Sequence, residues 1–259
     1  MSATAELATT QEISETGIIQ QELPKQETLE LEIAEDVIFP PTDLDSDEPP
    51  LENELHLRQI ILLLQSLEWL WRDRNDFYAV GNLTVYYNAK QLKSRDFRGP
   101  DFFVVLGTER KTRKSWVVWE EGKYPNVIVE VLSPSTANID RGFKKKLYQD
   151  TFRTYDYFWF DPNNLELAGF HLVNGEYQPI AANEFGHLRS QQLDLYLGVC
   201  EGKLRFFTAE GELIPTPEEL LECEVQRTEQ EAQRAEQEAQ RADRLAAKLR
   251  ELNIDPDTI

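Results

Sequence analysis

The chain has 259 residues, 41% of them hydrophobic, with a formal charge of −20. That length gives room for one sizeable core with appendages, and the net charge taken whole argues against a nucleic-acid partner. Cys200 and Cys223 lack CxxC spacing, which excludes a disulfide framework or cysteine zinc site, and the longest aliphatic run, Ile60 to Leu64, is too short to cross a bilayer, so a cytoplasmic protein without membrane attachment is expected.

The charge is unevenly spread. Residues 1 to 54 hold 15 acids and one base, Lys25, and residues 223 to 259 hold 9 acids and 6 bases, leaving 23 acids and 20 bases between. Within that near-neutral middle, Lys90, Lys93, Arg95, Arg98, Arg110, Lys111, Arg113 and Lys114 outnumber nearby acids, so a local basic surface for a phosphate backbone is compatible with the low pI. A solvated charged hairpin explains the same cluster.

Residues 1–53 are polar and acidic, with Phe39 as their single aromatic, and read as a disordered arm. From Glu54, a run from Leu55 to Trp71 predicts a helix apolar nearly all round, and hence buried. Phe77 to Tyr87 reads as strand on both sides of Gly81-Asn82, Gly99 to Leu106 as a buried strand beginning at Asp101, and Trp116 to Trp119 as a short strand. Val127 to Leu132 is a strand apolar on both faces, interrupted by one carboxylate, Glu130. A buried carboxylate without a partner costs several kcal/mol or takes up a proton, so Glu130 requires a cation, a metal or a donor network.

A lysine-rich helix follows, with Asp140 as expected cap, Phe143 and Leu147 on one face and Lys144 and Tyr148 on another. Asp156 to Pro162 reads as a strand, and two hairpins are expected, one turning at Asn174-Gly175 and one at Glu210-Gly211. The domain, residues 54–216, is thus α/β or α+β around one core, a helix before a mixed sheet with a second helix inside it and more strands after. Residues 217–259 form a helical tail, in which Arg227, Arg234 and Arg241 open heptads and Ala232, Ala235, Ala239, Ala242, Ala246 and Leu249 follow a coiled-coil seam. An alanine seam pairs weakly unless Leu245, Leu249 and Leu252 or a partner help, so a solvated single helix and a self-associating coil both fit.

The histidines His56, His171 and His187 lack metal-ligand spacing, and no GxSxG or P-loop occurs. What remains is Asp101 at the head of one strand, Glu130 inside the next, and lysines on the following helix. Two facing carboxylates can hold one or two Mg²⁺ ions and lower the pKa of a bound water, while a lysine orients that water or neutralises phosphoryl oxygens. Phosphodiester hydrolysis suits that set.

Gly99-Pro-Asp101, Pro125 to Thr136 with Glu130, Asp140-Arg-Gly-Phe-Lys144, Tyr148 and Asp156 to Pro162 resemble the Uma-two family of restriction-endonuclease-like proteins, within the PD-(D/E)XK nuclease superfamily. The resemblance spans roughly residues 54 to 200 and implies a restriction-endonuclease-like core acting on DNA with Mg²⁺ or Mn²⁺. It implies Asp101 and Glu130 as metal ligands and Lys144 as catalytic lysine, with Lys145 and Lys146 as neighbouring candidates, because the superfamily's usual lysine position is here Leu132. It also implies a helix-borne acid at the metal, Glu54 or the competing Glu68. Two functions are carried forward: a metal-dependent endonuclease, and an inactive nuclease-fold scaffold associating through its tail, with homo-oligomers through the core or the tail compatible with either.

Overall fold

The computed structural model describes residues 44, 53–88, 97–133 and 137–251, and of Asn138 the backbone alone. The acidic arm, except Leu44 and Asn53, lies outside the described residues, as do Lys90, Lys93, Arg95 and Leu252. Among the described residues, no helix is long and apolar enough to cross a membrane.

Helix α1 (Glu54–Leu70) starts at Asn53, whose side chain accepts from the His56 backbone N–H and so satisfies one orphan donor of the first turn. It buries one stripe, His56, Gln59, Ile60, Leu63, Ser66 and Leu67. The expectation of a helix buried all round is corrected: Leu55 is 51% and Ile61 41% exposed. The buried polar residues explain why hydropathy alone misplaces the inner face. Gln59, for example, hooks both backbone groups of Leu204, accepting from its N–H and donating to its carbonyl.

Twelve strands follow among the described residues: β1 (Phe77–Gly81), β2 (Val85–Tyr86), β3 (Phe97–Arg98), β4 (Phe102–Leu106), β5 (Trp116–Val117), β6 (Val127–Val131), β7 (Asp156–Asp161), β8 (Glu166–Val173), β9 (Glu176–Pro179), β10 (Leu188–Ser190), β11 (Leu195–Cys200) and β12 (Lys203–Phe207). The main sheet has the order β1-β4-β6-β7-β8-β9 and is antiparallel except where β6 runs parallel to β7. A parallel pair needs a crossover, and the lysine-rich helix supplies it. Strand period two then sorts the core. Phe102, Val104, Val127, Val129, Phe158 and Phe160 pack on the face shared with α1 and the β10-β11-β12 sheet, while Phe103, Val105, Ile128, Tyr157 and Trp159 face Trp116, Tyr148 and Phe152. The fold is therefore mixed α/β, a central sheet covered on both faces, with a long C-terminal helix (Pro217–Glu251).

Three local expectations change. Trp116–Val117 is a strand, but Val118–Glu121 turns into a helix, α2, closed by Gly122 at φ 72°. The hairpin at Asn174-Gly175 joins β8 and β9, whereas the one expected at Glu210-Gly211 shrinks to a single bridge, Phe207 with Leu213. Strand β12 pairs instead with β11 across Glu201-Gly202, both at positive φ, a turn that matches hairpin twist. Asp140 is not a cap. The crossover helix is composite, with π turns at Asp140–Lys144 and Tyr148–Phe152 around the short α segments Ala137–Ile139 and Lys145–Leu147, so Asp140 sits inside it.

Candidate active site

The β4–β6 register pairs Phe102 with Val129, and one step further it sets Asp101 opposite Glu130 on the face covered by the composite helix. Strand pairing thus brings together two acids 29 residues apart. The Asp101 backbone N–H donates to Glu130 Oε2 at 3.3 Å, and Asp101 Oδ2 accepts from the Val131 N–H at 2.7 Å. Each acid is therefore tied to the other's strand.

The helix closes the site from above. Lys144 Nζ lies 3.1 Å from Glu130 Oε2 and 2.8 Å from Asp140 Oδ1, and the Tyr148 hydroxyl donates to Glu130 Oε1 at 2.7 Å. Residues four apart are offset by about 40° around an α-helix. A wider i→i+5 turn swings the fourth residue the opposite way by a similar angle, so alternating π and α turns keep Asp140, Lys144 and Tyr148 on the face toward Glu130. The Tyr157 hydroxyl fixes the turn by donating to the Asp140 carbonyl at 2.9 Å. From α1, His56 Nε2 approaches Asp101 Oδ2 at 3.0 Å.

This cluster is nearly dry. Glu130 and Tyr148 are fully buried and Asp140 is 1% exposed. Burial, with the Asp101 and Asp140 charges adding to it, pushes the Glu130 carboxyl well above its usual range, although Lys144 opposes the shift. Burial also pushes Asp101 up, but the His56 hydrogen bond, the Lys144 charge and the Val131 N–H prevail and hold it below the usual range. For Lys144, burial disfavours the ammonium, yet Glu130, Asp140 and Asp101 together raise its pKa. Tyr148 is pushed well up by burial and by the Glu130 charge, so its hydroxyl stays a donor. Two carboxylates of opposite shift, side by side, mark a site of chemical interest.

The structure joins Asp101, Glu130 and Lys144. Lys145 lies over the Phe170 ring at 3.4 Å, and Lys146 is exposed. Glu54 is not brought to the acid pair; its largely exposed side chain pairs with Arg58 at 2.6 Å. Glu68 pairs with Arg110 at 3.1 Å, and Arg113 is buried in a fork with Glu121, so these two arginines are spent within the fold and leave less of the expected basic surface.

Sequence reasoning missed two members of the cluster, His56 and the inward role of Asp140. The available signal was periodicity: His56 falls on the stripe of Ile60, Leu63 and Leu67, where a polar residue calls for a partner.

The donors suit a hard divalent cation in kind, being carboxylate oxygens, and the buried carboxyls of Glu130 and Asp140 share one lysine while Asp101 pairs with His56, a charge deficit that a cation would relieve. As they stand, these side chains face organic donors. Among the described residues, no group of three or more His, Cys, Asp or Glu is arranged as a ready metal site.

A search of curated proteins gives no match. A solved structure described as a putative nuclease belonging to DUF820 from Anabaena variabilis ATCC 29413 is similar at 12% identity, with a TM-score of 0.41, covering 56% of this chain and 76% of that one. The model of the Uma2 family, described as "Putative restriction endonuclease", matches residues 23–205, and on that match the chain belongs to the Uma2 family.

Proposed function

We propose that the protein is a metal-dependent endonuclease that hydrolyses phosphodiester bonds in DNA. The observation that carries the reading is the convergence of Asp101, Glu130 and Lys144 from two adjacent strands and one helix onto a buried point. Family membership supports the reaction class. Asp101 and Glu130 would hold Mg²⁺ or Mn²⁺, which when bound activates a water and neutralises phosphoryl charge. Lys144 supplies a fixed positive charge beside the pair, suited to stabilising charge on the phosphate oxygens. Tyr148 and Asp140 position that lysine and Glu130, and His56 orients Asp101. Incubating supercoiled plasmid with Mg²⁺ or Mn²⁺ tests this: the wild type should nick it, and Asp101→Ala and Glu130→Ala should not. Wild-type activity no greater than that of the variants overturns the reading.

One observation favours the second reading, an inactive scaffold: Asp101 and Glu130 are already satisfied by His56, Lys144, Tyr148 and backbone N–H groups. Calorimetry separates the two. Mn²⁺ binding lost in Asp101→Ala supports the nuclease, and no Mn²⁺ binding by the wild type supports the scaffold.

A further inference from the structure

The long helix is firmly rooted and otherwise bare. Its start is a capping box in which Glu219 accepts from the Thr216 N–H at 2.8 Å and Thr216 Oγ accepts from the Glu219 N–H at 3.2 Å, with Pro217 at the first helical position. Arg205, 4% exposed on β12, grips Glu219 with two bonds and also donates to the Ile214 carbonyl. None of the residues from Pro217 to Glu251 is buried.

The seam runs further back than the alanines. At strict 4,3 spacing, Leu221, Val225 and Thr228 lead into five alanines from Ala232 to Ala246 and end at Leu249. Leu221 is 66% and Val225 48% exposed, so the stripe lies open among the described residues. With Val225 at heptad position a and Leu221 at d, the positions flanking the seam are fixed. The e flank is Glu222, Glu229, Glu236, Asp243 and, last, Arg250, and the g flank is Glu224, Glu231, Glu238 and, last, Leu245, so each is acidic up to its final position.

Side chains at e and g decide which helices pair. Two copies of this helix, parallel or antiparallel, would set acid against acid along most of the seam, and like charges so placed disfavour the pair. Size argues the same way. Alanine against alanine leaves little to bury, whereas an alanine-lined seam leaves room for large knobs from another helix. The arginines relieve one flank in part: Arg227 reaches Glu224 at 2.6 Å and Glu231 at 3.9 Å along the same helix. On the e flank, Gln240 approaches Glu236, and no base of the helix pairs with Glu229 or Asp243 among the described residues.

We infer that the C-terminal helix is one half of a heteromeric coiled coil, and that its partner is a helix with large aliphatic seam residues and Lys or Arg along both flanks. A second copy of the chain does not fill this role at neutral pH. The inference is independent of the nuclease site.

Two dye-labelled helical peptides of the same length test it, both with leucine at every a and d, one with lysine and the other with glutamate at every e and g. Titrated with the full chain at neutral pH, the lysine peptide should bind at least about tenfold tighter than the glutamate peptide. Ala235→Glu with Ala239→Glu, which keeps a good helix former on an exposed helix, should abolish that binding. Glu229→Lys, Glu236→Lys and Asp243→Lys together should move the preference toward the glutamate peptide. In sedimentation of the free chain, the seam variant should leave the mass unchanged. Lysine-peptide binding that survives the seam variant, binding of neither peptide, or a free-chain dimer that the seam variant dissociates would each overturn the inference.

Discussion

Nζ of Lys144 lies 3.1 Å from Oε2 of Glu130, although the two residues are 14 apart in sequence and sit on different elements. Leu132, two residues beyond Glu130, is 2% exposed and packed in the core on the same side. The lysine therefore arrives from the covering helix, and the stability of the site depends on that helix staying in place.

Removing the lysine strands two buried acids. Lys144→Met should cost about 3 kcal/mol at pH 8, because breaking a buried pair leaves charge uncompensated. The cost should shrink in acid, where Glu130, whose carboxyl is already raised, takes up a proton. Urea unfolding at pH 8 and pH 5 measures both.

Glu130 also sets a pH dependence. Its carboxyl is raised above the ordinary value, so the folded state holds the proton more tightly than the unfolded chain. Its contribution is complete below about pH 4.5 and is lost as pH rises through the raised value. Asp101 works in the opposite direction: its pKa is lowered, so its contribution is present above the ordinary value and lost as pH falls through the depressed one. Glu130→Gln should therefore gain stability relative to wild type as pH rises from 4.5, by denaturant titration across the range. A difference independent of pH would refute the raised carboxyl.

Tyr148→Phe deletes the donor to Glu130 Oε1 while keeping the ring among Phe152 and Tyr157. An unsatisfied buried acceptor costs about 1–3 kcal/mol, and the loss should appear in thermal melts without a change in the fold.

Gly81 sets the approach of α1. A Cβ there would come 2.0 Å from Ile60 Cγ2, a residue one turn from His56 on the same buried stripe. Gly81→Ala should displace α1, loosen the 3.0 Å His56–Asp101 contact and cost about 1–3 kcal/mol through overpacking. Histidine chemical shifts and a thermal melt would report the two effects separately.

The strands and acids of the site were readable because a charge inside an apolar strand has few explanations. Asp101, Glu130 and Lys144 could be named from that conflict and from a family resemblance. The β10–β12 sheet was less legible: β11, Leu195–Cys200, lacks clean alternation and contains Gly198, whose missing side chain makes room for His187 stacked on Phe207. The π turns were invisible, since local propensity does not distinguish i→i+5 from i→i+4, and the contacts that hold this helix, Lys144 with Glu130 and Tyr157 with the Asp140 carbonyl, reach residues distant in sequence. For His56 the helical stripe marks only an inward polar residue; its partner, Asp101, is 45 residues away and nothing local names it.

The most direct test compares Mg²⁺-dependent nicking of supercoiled plasmid by the wild type, Lys144→Met and Lys146→Met, each first shown to be folded under the assay conditions. The site described here predicts robust nicking by the wild type and Lys146→Met, and a loss of at least about a hundredfold in Lys144→Met, the scale expected when a preorganised charge is removed. Equal rates in all three proteins, or a loss confined to Lys146→Met, would contradict it.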